Sequence, residues 1–137
     1  MTNFTGFMND VNRYTLNLAS MAWVLYSPIG DLVSSGGVCL GPSTNNIIEY
    51  HTVIGLLMGA LANDVRDIRV YLDSKLVVQQ LNRVYTIRNP LLLRTFQRVR
   101  ILESSFEQVL YQHIPRHLNA MVDSPTNFFL VWYIAHS

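Results

Sequence analysis

The order of apolar and polar positions predicts strands in the first third of the chain. The stretch Ala22–Ser27 is rich in β-favouring residues and runs into a turn composition of proline, glycine and aspartate. A second apolar stretch, Gly37–Leu40, ends at another glycine–proline pair. The early segment Asn3–Leu18 is predicted to be a strand that pairs with residues 19–27. The chain is therefore expected to open with three antiparallel strands.

Helical spacing begins after these strands. Residues 43–46 offer side chains that cap a helix N-terminus, and apolar residues follow at spacings of three and four. These apolar residues are Ile47, Ile48, Val53, Leu56, Leu57 and Leu61. The pattern predicts a helix with one buried side.

The second half of the chain alternates strands with helices. Ile68–Leu72 is typical of a buried strand, and Leu76–Leu81 has helical spacing. Pro90 suits the first position of a further helix, and Gln108–Ile114 alternates well enough for a strand. With a last helix behind it, the predicted order is βββ-α-β-α-α-β-α. This order predicts an α/β (α+β) fold, a mixed sheet with helices packed on it.

Composition narrows the class of protein. The 137 residues suit one domain; half are apolar and only 14% are charged, against roughly 25% in average soluble domains. This excludes a disordered tail, which is charge-rich and poor in aromatic residues. The net charge of +1 argues against a protein that coats DNA. The longest apolar run, Phe128–Ala135, is far shorter than the roughly 20 residues of a membrane span.

The cellular compartment is predicted from two features that the sequence lacks, a pair of cysteines and a signal peptide. Cys39 is the single cysteine, so no intrachain disulfide forms, which fits a reducing environment. The first residues lack the basic start and the apolar stretch of a signal peptide. We therefore expect an intracellular protein, with nucleus and cytoplasm left open.

The cations are unusual in kind and position. Nine of the ten are arginine, which grips phosphate with two prongs and is less strongly hydrated than lysine. Residues 83–116 hold six arginines and two glutamates, a local charge of +4, whereas residues 1–82 carry −2. This split is compatible with a metal site beside a phosphate-binding surface. Solvated helix faces explain it equally well.

Three carboxylates stand where chemistry is common. Glu49 is predicted in the first turn of a helix, Asp73 at the carboxyl end of a strand, and Asp123 near the last helix. The carboxyl ends of strands in α/β sheets are frequent sites, and two-metal phosphoryl transfer needs several carboxylates. Each residue also has a structural explanation, because Glu49 favours a helix N-terminal dipole and the two aspartates suit helix caps.

Three motifs around these residues carry a family resemblance. They are Thr44–Tyr50, Val70–Leu81 and His113–Asp123, in that order and with natural spacing. Together they resemble the ribonuclease H family, most closely the ribonuclease H domains of long-terminal-repeat (gypsy-type) retroelements and their plant relatives. The resemblance extends from about Trp23 to Asn127. The fold of that family agrees with the order predicted from periodicity.

The resemblance implies a chemistry. Members of the family cut the RNA strand of an RNA–DNA hybrid with two Mg²⁺ ions (Mn²⁺ as a substitute) held by four carboxylates, and a histidine helps turnover. By position, Glu49, Asp73 and Asp123 match three of the carboxylates, and His113 matches the histidine. A core or capping role is the alternative for His113.

The fourth carboxylate of the family is missing from its expected place on the first strand. The best local match puts Met8 there, and a rival alignment puts Thr5 there. Methionine does not ligate a hard ion such as Mg²⁺, which prefers oxygen. Asp10 is the one candidate replacement, but two residues beyond Met8 on a strand it would sit about 6–7 Å further along. We therefore expect a crippled or absent nuclease.

The chain divides into a predicted domain, residues 1–127, and an apolar C-terminal extension, residues 128–137. The extension is apolar on every face, so it either packs on its own sheet or forms a contact with a protein partner or a second copy. The candidate interface residues are Phe128, Phe129, Trp132 and Tyr133.

Three hypotheses for function follow. The first is a retroelement-derived domain with a degraded site that still binds RNA–DNA hybrid or other nucleic acid. Its candidate contacts are Arg83, Arg88, Arg94, Arg98, Asn45 and Asn46. The second is an active hybrid ribonuclease whose site Asp10 completes. The third is a protein-interaction module that uses the fold and the apolar extension.

Overall fold

The computed structural model describes residues 3–10, 19–41 and 44–119, without the side chains of residues 9, 10, 19 and 20. Within these ranges it contains five strands and four helices in the predicted order. The strands are β1 (Phe4–Asp10), β2 (Ala19–Tyr26), β3 (Leu32–Leu40), β4 (Asp67–Leu72) and β5 (Gln108–His113). The helices are α1 (Asn45–Ala62), α2 (Lys75–Leu81), α3 (Pro90–Glu103) and α4 (Arg116–Asn119).

The strands form one mixed sheet in the order β3-β2-β1-β4-β5. The hairpin pairs β1–β2 and β2–β3 are antiparallel, while β4 lies parallel to both β1 and β5. The predicted α/β class and mixed sheet are therefore confirmed. The third strand begins at Leu32, earlier than predicted, because its small polar residues Ser34 and Ser35 hid the strand pattern.

Side-chain caps set the starts of the helices. Thr44 accepts a hydrogen bond from the Ile47 amide and begins α1, and Ser74 does the same for α2 through the Val77 amide. Asn89 caps α3, with Pro90 at its first position as predicted. Among the described residues, no helix combines the length and the apolar character needed to cross a membrane.

Both faces of the sheet are covered by apolar side chains. The larger core lies under α1 and includes Met8, Leu25, Leu56 and Val70. The smaller core lies on the other face, where the Phe7 and Tyr71 rings stack with their centroids 5.0 Å apart. Alternation along β1 thus sends neighbouring residues into different cores.

Trp23 fixes the distance between α1 and the sheet. Its buried indole lies against Gly36 of β3 and against Gly55 and Gly59 of α1. A Cβ at Gly59 would lie 2.4 Å from the ring, and a Cβ at Gly36 would lie 2.6 Å from it. These glycines are therefore required by close approach of the indole rather than by backbone conformation.

Gly59→Ala is expected to destabilise the protein by about 1–2 kcal/mol. Overpacking against the Trp23 ring costs about 1–3 kcal/mol, which outweighs the gain of about 0.5–1 kcal/mol from replacing a helical glycine. Urea unfolding measures the difference. Gly41→Ala is the matched control, because a Cβ there meets nothing within 4 Å. Equal unfolding free energies for the two variants would show that the indole packing is not limiting.

Candidate functional site

The candidate site lies at the carboxyl end of the parallel strands β1, β4 and β5. The register pairs Phe7 with Tyr71 and Leu72 with His113. Met8 therefore follows the last β1–β4 pair, and Asp73 directly follows β4. The sheet thus brings Met8, Asp73 and His113 to the same end of the three parallel strands. The carboxyl ends of parallel strands are where α/β proteins place their sites.

The Asp73 carboxylate is buried and held by two side chains of α4. Its side chain is 8% exposed, and Oδ2 accepts a hydrogen bond from Asn119 Nδ2 at 3.3 Å. The Nε atom of Arg116 lies 3.7 Å from the same oxygen, while the Arg116 side chain is 83% exposed. A neutral donor and a cation therefore both face one carboxylate oxygen.

Asn119 connects this carboxylate to β1. The residue is 1% exposed, and its Nδ2 also donates to the Met8 carbonyl oxygen. Its Oδ1 is buried and has no hydrogen-bond partner among the described residues. One amide group therefore fixes the first strand, the end of the fourth strand and the last described helix relative to one another.

Met8 is an integral part of the apolar core. Its side chain is 1% exposed and belongs to the same cluster as Ile48 and Val53 of α1. A thioether packed in this way offers no oxygen to a hard cation.

The rival position, Thr5, lies elsewhere. It is paired with Arg69, four residues before Asp73, which corresponds to about 13 Å along the strand. By alternation it lies on the face opposite Gly6, whose Cβ position meets Leu56 of α1. The geometry therefore favours the alignment that uses Met8.

Glu49 lies one turn further along its helix than predicted. The helix begins at Asn45 behind the Thr44 cap, so Glu49 is its fifth residue and the first turn holds no acidic side chain. The prediction of a first-turn glutamate is wrong, because the cap is Thr44 rather than a later residue of the 43–46 stretch. Glu49 is half-buried, and its Oε2 is shielded from solvent.

Several candidate residues lie outside the description. The Asp123 position and the extension residues Phe128, Phe129, Trp132 and Tyr133 fall in residues 120–137. Asp10 is described only by its backbone, which pairs with Met21. Within the described ranges, no group of three or more histidine, cysteine or acidic residues is placed to hold a metal ion.

All the candidate nucleic-acid contacts except Asn46 are exposed. Arg94 and Arg98 lie on α3 away from its buried side, and Arg88 lies in the segment that leads to α3. Arg83 has a left-handed φ of 64° just beyond the end of α2, so its backbone also ends that helix. Asn45 is exposed and Asn46 half-buried at the start of α1.

The charge of Arg98 also affects the pKa of His51, a residue of α1. Burial lowers the pKa of His51, and the positive charge of Arg98 lowers it further. Both effects favour the neutral imidazole, so His51 is uncharged at physiological pH.

Arg116 and Asn119 were missed as site residues, although they lie within a recognised motif. The two residues are three positions apart in the short helix that follows Pro115, so they lie on one side of it. This spacing was the one sequence signal that could have indicated a shared role for the two residues. Their partner Asp73 is more than 40 residues away in sequence, so only the register of the sheet reveals the contact.

The fold is that of ribonuclease H-like proteins, and comparisons with known proteins agree. A family model described as reverse transcriptase-like matches residues 6–128. The curated ribonuclease HI of Halobacterium salinarum is 36% identical over 121 residues, which cover 88% of this chain and 61% of that protein. The chain belongs to this reverse transcriptase-like family and to its ribonuclease H-like proteins.

Two solved structures support the same classification. The crystal structure of RNase H1 from Halobacterium salinarum has a TM-score of 0.78 and 32% identity, covering 86% of this chain and 89% of that one. The structure of LC11-RNase H1 in complex with an RNA/DNA hybrid has a TM-score of 0.75. At 24% identity, and with coverage of 86% and 89% of the two chains, the second likeness shows the shared fold.

Asn119→Ala is expected to destabilise the protein by about 1–3 kcal/mol. The substitution removes a buried donor shared by the Met8 carbonyl and Asp73, and it leaves both acceptors without that bond. Chemical unfolding measures the loss. His117→Ala changes an exposed neighbour on the same helix and serves as the control. An Asn119→Ala variant as stable as this control would contradict the bridging role.

His51→Gln is expected to flatten the pH dependence of stability. Since the folded pKa of His51 is lowered, its contribution is fully present above the unfolded value of 6.5 and is lost as the pH falls through 6.5 toward the folded pKa. Urea midpoints between pH 7.5 and 5.5 test this. The wild-type midpoint should fall more steeply than that of the variant, and parallel curves would rule out the effect.

Proposed function

We propose that this chain is a ribonuclease H-like domain that binds RNA–DNA hybrid or related nucleic acid and cleaves it weakly or not at all. The observation that carries the proposal is Met8, which is buried in the core at the end of the sheet where Asp73 follows β4. The name of the archaeal relative, ribonuclease HI, and the hybrid bound to LC11-RNase H1 support the class of substrate.

The family resemblance implies Mg²⁺ or Mn²⁺ as the cofactor, and the described residues do not fit a pair of such ions. Two-metal sites hold ions about 3.5–4 Å apart between several carboxylates. Here the described candidates are Glu49 and Asp73, and the Asp73 Oδ2 already faces Asn119 and Arg116. The thioether of Met8 adds no oxygen ligand. This set of described donors supports a weakened or lost nuclease activity.

Exposed arginines support retention of nucleic-acid binding. Arg94 and Arg98 project from α3 four residues apart, on the side that does not pack in the core. Guanidinium groups bind phosphate oxygens in a two-pronged geometry, and such contacts need no catalytic site. The order and letters of the three motifs also support a retroelement origin as part of this proposal, in which the domain has become a pseudoenzyme.

Binding is tested with a labelled RNA–DNA hybrid at several salt concentrations. Arg94→Gln is expected to weaken binding and to lower the slope of log affinity against log salt by about 1, because one phosphate contact is lost. Arg66→Gln removes another exposed cation, one that donates to the Ser105 carbonyl, and should leave the slope unchanged. No hybrid binding by the wild type would contradict the proposal, as would identical slopes for the two variants.

Cleavage is tested on the same hybrid in Mg²⁺ and in Mn²⁺. We expect the wild type to cleave no faster than Asp73→Asn. Robust cleavage that Asp73→Asn abolishes would instead establish an active hybrid ribonuclease. Loss of that cleavage in Asp10→Asn would then identify Asp10 as the residue that completes the site.

A further inference from the structure

The environment of the Asp73 carboxylate contains a cation supplied by the protein itself. Arg116 Nε lies 3.7 Å from Oδ2, and Asn119 donates to that same oxygen. The carboxylate is almost fully buried, whereas the arginine side chain is mostly in solvent. The positive charge therefore reaches the carboxylate from the solvent side.

We propose that Arg116 is a built-in counter-ion of Asp73 that competes with divalent cations for this carboxylate. The inference deepens the proposed function, since it names a second feature besides Met8 that disfavours metal at this edge. This inference depends only on the Arg116–Asp73 contact. It can therefore fail while the proposed function holds, and the proposed function can fail while this inference holds.

Burial makes such a counter-ion necessary. An ionised carboxylate taken out of water is costly unless it is paired and hydrogen-bonded. Arg116 and Asn119 meet both needs from one turn of α4, which begins directly after Pro115. The buried Asp73 is therefore compensated without any metal ion.

Exposure of Arg116 makes the counter-ion displaceable. Ion pairs with one partner in solvent are weak, so a divalent cation can push the guanidinium away. The divalent cation must first overcome repulsion by the Arg116 guanidinium, which lies close to the position that the cation would take. For a doubly charged ion about 5 Å from a guanidinium in water-like surroundings, the Coulomb law gives a loss of affinity of roughly tenfold.

The test measures Mn²⁺ binding to the full chain without nucleic acid, by the electron paramagnetic resonance signal of free Mn²⁺. Arg116→Gln is expected to bind Mn²⁺ about tenfold more tightly than the wild type. Arg116→Lys, which keeps the charge, and Arg66→Gln, which removes a charge elsewhere, should stay within about twofold of the wild type. The gain should vanish in Arg116→Gln combined with Asp73→Asn.

A second measurement separates competition from a change in folding. Mn²⁺ should raise the melting temperature of Arg116→Gln more than that of the wild type, since the ion replaces the missing counter-ion. Equal Mn²⁺ affinity in the two proteins, or no binding by either, would overturn the proposal. A gain that persists without the Asp73 carboxylate would overturn it as well.

Discussion

The packing of one indole against three glycines controls the geometry on which the rest of this domain depends. Trp23 of β2 fills the space between Gly36 of β3 and the small face of α1 formed by Gly55 and Gly59. Because a Cβ at any of these positions would lie within about 3 Å of the ring, the helix and the sheet have one separation. That separation sets how the first turns of α1, which contribute Ile48 to the core cluster of Met8, pack on β1.

A polar contact completes what this packing begins. The apolar cores fix the layers, but they do not fix the edge where β1 and β4 end. Asn119 does so, because its buried amide donates both to the Met8 carbonyl and to Asp73. A buried donor left without its acceptors costs more than the bond itself contributes. The contact therefore specifies one arrangement of β1, β4 and α4 at the candidate site.

Local patterns were sufficient for the fold and for part of the site. Periodicity and caps predicted the order of elements, since α1 and α3 have helical spacing behind Thr44 and Asn89. The position of Asp73 followed from the strand before it. The contacts of Arg116 and Asn119 were not predictable, because they depend on the register of distant strands. The choice between Met8 and Thr5 also required knowing which face of β1 lies under α1.

A methionine at position 8, where the family resemblance implies a carboxylate, has an energetic logic. Carboxylates gathered for metal binding repel one another when no ion is present, and a cluster of this kind costs stability. At this edge Met8 instead adds apolar burial to the larger core. The charge of Asp73 is balanced by Arg116 within the chain itself. Among the described residues, this arrangement balances the Asp73 charge without an ion and is consistent with the proposed loss of cleavage. The larger apolar core therefore extends to the end of β1 and includes the position for which the family resemblance implies a carboxylate.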